Sequence, residues 1–188
     1  MVSSESHRLT VPVSERDHIQ GAIDAPMTLV EYGDYQCPYC GLAYPMVKEV
    51  QRTLADRLAF VFRHFPLVAV HPHALIAAEA AEAAGAQGRF WPMHDRLFEH
   101  QDALDPRSLI AHASALGLDV ARFVEDLEAH RHLPRIRDDL ESGSRSGVNG
   151  TPTFFVNGVR HEGAYDAESL IAALTEIAVP SGSRLRSV

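Results

Sequence analysis

The sequence predicts an α/β fold interrupted by a helical insertion, and three observations predict it. Residues 27 to 65 alternate strand, helix and strand patterns; residues 73 to 146 are rich in Ala, Leu and Glu with regular helix breaks; and a hairpin signal with one more amphipathic helix follows. At 188 residues the chain suits one core carrying an insertion better than two full domains. Hydrophobic residues make up 46% and charged residues 22%, a balance that supports folding rather than disorder.

Met27 to Tyr32 (Met-Thr-Leu-Val-Glu-Tyr) is β-rich and bounded by Pro26 and Gly33, which predicts a strand. Leu42, Met46, Val47, Val50 and Leu54 then recur at helical spacing. Cys37 falls at the start of that helix, Pro38 suits its first turn, and Pro45 should kink it. Leu58 to Phe65 returns to a strand and closes a parallel crossover unit.

Breaks at Gly85 to Gly88, Asp105-Pro106, Gly117 to Asp119 and Leu133-Pro134 divide the insertion into short helices, with Asp105 and Asp119 as N-caps. Ser142 to Gly147 is expected to be a flexible link. Thr153 to Val156 is β-rich, Asn157-Gly158 is a two-residue hairpin signal, and Val159 to His161 answers it. A final helix carries Leu170, Ile171, Leu174, Ile177 and Ala178 on its apolar stripe. The expected division is 18–72 and 147–179 for the α/β core, 73–146 for the insertion, and 1–17 and 180–188 as mobile ends.

Composition also limits function. A net charge of −8 repels a phosphate backbone, so nucleic acid is not an expected partner. The longest apolar run, Phe65 to Val70, is six residues with a proline inside, so no membrane span is expected. Glu5, Arg8, Glu15, Arg16 and Asp17 interrupt any secretory h-region, so with Met1 as the native start a cytoplasmic location is expected.

The two cysteines stand together in Cys37-Pro38-Tyr39-Cys40. Such a pair closes only a small ring and does little for stability, so its purpose is chemical. At a helix N-terminus, unpaired amides and the helix dipole stabilise a thiolate, which makes Cys37 the expected nucleophile. Cys40, one turn deeper and shielded, suits the resolving attack on a mixed disulfide. A half zinc site completed by His71 and His73 is the plain alternative, although the spacing is not a standard ligand pattern. Glu31, in the strand before the pair, is a candidate to exchange a proton with Cys40, against the simpler reading of a solvated strand-end acid. His64, His71, His73 and His94 are read as ordinary residues of a chain with 11 histidines, with His64 a lesser exception because its strand returns beside the Cys-bearing helix. Phe90, Trp91, Leu97 and Phe98 read as core of the insertion.

Three stretches together carry a resemblance: Glu31-Tyr32-Gly33-Asp34-Tyr35-Gln36-Cys37-Pro38-Tyr39-Cys40, Phe62-Arg63-His64-Phe65-Pro66-Leu67, and Gly150-Thr151-Pro152-Thr153-Phe154-Phe155-Val156-Asn157-Gly158. The chain resembles the thioredoxin-fold disulfide oxidoreductases of the DsbA type over about three quarters of its length. The resemblance implies a thioredoxin fold split by a helical lid, Cys37 as nucleophile, Cys40 as resolving thiol, and a cis Pro152 beside them. It also implies that Thr151 presents its backbone to an extended substrate segment. Pro38, Tyr35 and Tyr39 would rim that site. Thiol or disulfide proteins and peptides are the implied substrates, with glutathione or a thioredoxin system as redox partner, and no metal or organic cofactor beyond the cysteine pair. Two other functions stay open: a glutathione-dependent thiol transferase on the same fold, and a non-catalytic redox sensor or binding module. Strongly oxidising relatives carry His where Tyr39 stands, so a less oxidising couple is expected here.

Overall fold

The computed structural model describes residues 7–177. Among the described residues five strands form one mixed sheet: β1 (His18–Gln20), β2 (Met27–Gly33), β3 (Leu58–His64), β4 (Thr153–Val156) and β5 (Val159–Arg160), in the order β1-β3-β2-β4-β5. β2 and β3 run parallel, with Glu31 opposite Phe62; the other neighbours are antiparallel, and Glu31 also faces Phe154 on β4. The crossover between β2 and β3 is α1 (Pro38–Leu54), followed by a single 3-10 turn at Ala55–Arg57. α1 remains helical on both sides of the exposed Pro45.

Strand alternation sorts side chains to two cores. Leu29, Phe60, Phe62, Phe154 and Val156 join the larger core, with Val47 and Val50 of α1 and Leu170 and Leu174 of α7 (Ala167–Ile177). Val30, Tyr32, Val61 and Phe155 point to the opposite face and form a smaller core with Phe65 and Val148. Glu31 shares the face of Leu29, so the sequence period itself turns this carboxyl toward α1.

Five helices lie between the two parts of the sheet: α2 (Ala74–Gly85), α3 (Phe90–Glu99), α4 (Pro106–Ala115), α5 (Val120–Glu128) and α6 (Leu133–Arg145). Asp105 accepts from the backbone N–H groups of Arg107 and Ser108, and Asp119 from that of Arg122, so both act as the expected caps. Phe90, Leu97 and Phe98 are buried in this insertion, with Trp91 packed at its edge. Asn157 and Gly158 both have positive φ, 49° and 79°, as a type I′ hairpin requires.

Two expectations are corrected. Residues 142 to 145 are not a flexible link: α6 extends through them, Ser142 and Gly143 are buried, and the Ser142 hydroxyl pairs with the Tyr32 hydroxyl at 2.8 Å. Residues 7–17 are likewise held down. Leu9 N–H bonds to the Gly158 carbonyl, Thr10 N–H to Ser146 Oγ, and the Arg63 guanidinium donates to the carbonyls of Val11 and Pro12 and to both carboxylate oxygens of Asp17. Polar composition suggested mobility, whereas long-range acceptors for one buried arginine fix the segment. Residues 1–6, Ala178 and the 180–188 tail lie outside the described residues. No helix among the described residues is long and apolar enough to cross a membrane.

Candidate functional site

β2 ends at Gly33, and four residues turn the chain into α1. Cys37 is the N-cap, with extended backbone angles (φ −68°, ψ 122°) and no side-chain cap bond, and Pro38 at the first helical position has no N–H to satisfy. Asp34 organises this turn. Its carbonyl accepts the Cys37 N–H at 3.1 Å, while its carboxylate accepts Gln36 N–H at 2.8 Å and Leu67 N–H at 2.9 Å and pairs with His71 Nδ1 at 2.7 Å. Gln36 in turn accepts His73 N–H at 2.6 Å. The 65–73 loop is thereby tied to the cysteine turn.

Both cysteines are free thiols, yet their surroundings oppose one another. Cys37 is lowered from an ordinary thiol value of 9.0 to about 5: a hydrogen bond with the Cys40 side chain dominates, desolvation opposes it, and Thr151 and the backbone of Cys40 and Tyr39 add to the lowering. Cys40 is fully buried and is pushed well above its usual value, first by that burial and then by its bond with Cys37. Glu31 lies beneath the pair, 2% exposed, with Oε1 unpartnered among the described residues. Burial, followed by the charge of Cys37, raises its carboxyl to about 8. Thr151 and Pro152 approach from the other side: the Thr151–Pro152 bond is cis, and the Cys37 thiol lies 3.3 Å from the Thr151 carbonyl.

Pro38 and Tyr39 are exposed at the helix start, Tyr39 by 60%. Leu42, Val68 and Val70 are also exposed, the last two on the loop that Asp34 holds. Tyr35 departs from the expected rim. It is buried, stacks on Phe62 with ring centroids 5.3 Å apart, and its hydroxyl meets His94 Nδ1 at 3.1 Å. Burial holds the His94 imidazole well below its usual range and therefore neutral.

The Cys2His2 alternative is not assembled, because Asp34 holds His71 and the cysteines join no metal-like cluster among the described residues. The cluster that does bring three such groups within 4.8 Å is His18, His64 and Glu82. There Glu82 Oε1 already meets both imidazoles, at 2.8 and 2.9 Å, which makes it a buried polar knot joining β1, β3 and α2. Sequence reasoning missed Asp34, Gln36 and Gln101. Asp34 carried a signal, an acidic residue just ahead of a helix start; the contacts of Gln101 depend on the fold of the insertion and carried none.

A thiol pair of opposed acidity at a strand-to-helix turn, on a thioredoxin fold with a helical insertion, places the chain in the class of thioredoxin-fold proteins that carry a C-x-x-C pair. The thioredoxin family profile matches residues 13–176, and the chain belongs to the thioredoxin family. It is similar to oxidised BdbD from Bacillus subtilis, with a TM-score of 0.81 and 23% identity over 92% of this chain and 97% of that one. A thioredoxin-like oxidoreductase from Silicibacter pomeroyi gives 0.78 and 26% over 87% and 93%. In sequence it is 51% identical to a Na(+)/H(+) antiporter NhaA 1 of Salinispora arenicola, over 95% of this chain and 27% of the antiporter. An NhaA 3 antiporter of Salinispora tropica is 52% identical over 88% and 26%. The chain thus spans about a quarter of the length of these curated relatives.

Proposed function

We propose that the protein exchanges disulfides with thiol proteins or peptides through a mixed disulfide at Cys37 that Cys40 resolves. The observation that carries this reading is the opposed acidity of two adjacent thiols, about 5 for Cys37 and well above the usual range for Cys40.

In the oxidising direction a substrate thiolate attacks Cys37 Sγ of the Cys37–Cys40 disulfide, and Cys40 leaves as a thiolate. The neutral carboxyl of Glu31 gives that thiolate its proton. A second substrate thiolate then attacks the substrate sulfur of the mixed disulfide. Cys37 leaves as a stable thiolate, the substrate loses two electrons, and the protein gains them. The reverse direction begins with Cys37 thiolate on a substrate disulfide and ends with Cys40, deprotonated toward Glu31, displacing the substrate. Tyr39, Leu42, Val68 and Val70 offer an apolar rim to the polypeptide, and the backbone of Thr151 offers it a pairing edge.

The test is turnover of a fluorescent peptide disulfide coupled to a dithiol, with cysteine variants alongside. Cys37→Ser should abolish exchange, and Cys40→Ser should accumulate a mixed disulfide visible by mass spectrometry. Wild-type protein that fails to turn over, or a Cys40→Ser variant that yields no adduct, would sink the two-thiol mechanism. Catalysis with glutathione that survives Cys40→Ser would instead mark a one-thiol transferase.

A further inference from the structure

Gln101 stands in the loop between α3 and α4, outside the strands and helix that build the cysteine turn, yet its side chain reaches into that turn. Its amide nitrogen donates to the Tyr35 carbonyl at 2.8 Å and to the Cys37 carbonyl at 2.9 Å. An amide NH2 has two protons in one plane, so one proton for each carbonyl satisfies both and fixes the direction of both. The Cys37 carbonyl also accepts the Gly41 N–H at 3.1 Å, the bond that begins α1. The amide therefore sits where the reactive residue, the turn and the first helical hydrogen bond meet.

Gly41 gives the second, independent observation. A Cβ on this residue would fall 2.0 Å from Gln101 Oε1 and 2.7 Å from its Cδ. A glycine is unfavourable inside a helix, so the space it leaves requires a reason, and the reason in this structure is the Gln101 amide.

We propose that Gln101 is a positioning residue for the reactive thiol: carried on the helical insertion, it holds the carbonyls that orient Cys37, and Gly41 is the vacancy that admits it. The proposal rests on Cys37 being the reacting thiol. Fixing the Cys37 carbonyl fixes the peptide planes that follow, and the backbone of Tyr39 and Cys40 is among the groups that hold the Cys37 thiol acidic. Losing the amide frees the turn and leaves two carbonyls without that donor, so the thiolate loses aligned partners while the buried Cys40 does not change place. The insertion thus tunes the couple from a distance, through one side chain.

The test uses four full-length proteins: wild type, Gln101→Ala, Gly41→Ala and the double variant. For each, thiolate ultraviolet absorbance against pH gives the Cys37 midpoint, a glutathione buffer gives the redox equilibrium, and a thermal melt reports folding. Each single variant should raise the midpoint by about one unit and shift the equilibrium about tenfold toward the disulfide, about 30 mV for a two-electron couple. Gly41→Ala should do so without loss of helix stability, because alanine suits a helix interior and the group it displaces is the flexible end of a side chain. The double variant should match Gln101→Ala alone. A midpoint unchanged in Gln101→Ala, or two single shifts that add in the double variant, overturns the proposal. If Gln101→Ala melts too early to titrate, an unchanged midpoint in Gly41→Ala overturns it and a raised one supports it. Peptide exchange by the wild type separates this question from the reading beneath it: absence of turnover removes the assigned function, while the midpoints still decide the role of Gln101.

Discussion

At the scale of the residue, the carboxyl of Glu31 is the group whose placement works against stability. In the unfolded chain it ionises near 4.5, whereas in the reduced native protein burial and then the Cys37 charge raise it to about 8. The native state therefore holds more protons between those values, so this group lowers stability progressively as pH rises from 4.5 to 8. Glu31→Gln keeps the shape and removes the ionisation, and it should stabilise the reduced protein by about 3 kcal/mol at pH 7. Urea denaturation at pH 4 and pH 7 checks this: the gain should be present at the higher pH and absent at the lower. The same variant should slow exchange, since Cys40 loses its proton partner. Tyr39 offers the opposite kind of test, on an exposed side chain beside Cys37. Tyr39→His places a donor with partial positive charge near the thiolate, stabilises the dithiol form, and should raise the potential by about 10 to 30 mV. Side-by-side titration against glutathione decides it, and an equal or lower potential in the variant means that the intervening residue does not control the couple.

At the scale of the element, what the sequence displayed was whatever local chemistry decides. The β2 pattern, the helix start at Cys37, the Asp105 and Asp119 caps and the Asn157-Gly158 turn are each set by a few neighbouring residues, and each was legible. The C-terminal turn of α6 was not. Ser142-Gly143-Ser144-Arg145-Ser146-Gly147 has the composition of a link because small and hydroxyl residues favour loops when nothing else intervenes. In the fold those small residues let α6 lie close against the second face of the sheet. A Cβ on Gly143 would stand 2.8 Å from Phe65 Cδ2 and 3.0 Å from Tyr32 Cδ1, both ring atoms in a packed layer. Gly143→Ala should therefore destabilise the protein by about 1 to 2 kcal/mol, because overpacking exceeds the helix gain from alanine. A urea midpoint that rises in this variant would show that the rings move aside freely.

At the scale of the whole molecule, the illegible part was long-range. The Leu-Ala-Phe-Val-Phe-Arg-His-Phe stretch announced a strand and also contained its own question, since an arginine in the middle of a fully buried strand needs acceptors from somewhere. They come from residues 11, 12 and 17, which a local reading assigns to a mobile end, and from the Tyr32 hydroxyl at 3.0 Å. Arg63 is 2% exposed and its fork holds both Asp17 oxygens, at 2.7 and 3.1 Å. Short β1 begins at the next residue, so the same contact also fixes the strand that carries His18 to the Glu82 knot. Asp17→Ala leaves a buried guanidinium without its counter-charge, and the expected loss is about 3 kcal/mol or more. Arg63→Met leaves the buried Asp17 carboxylate without its closest counter-charge and also strands the carbonyls of Val11 and Pro12, so it should cost at least as much as Asp17→Ala. The Cys37 pair packs against the opposite face of the sheet, in the core that holds Leu29 and Phe62, so neither variant should move the glutathione equilibrium. Urea denaturation and redox titration of both variants test the two halves of this argument. A loss in Asp17→Ala below about 1 kcal/mol would mean that solvent reaches Arg63 once its partner goes, and that the N-terminal segment contributes little to the fold.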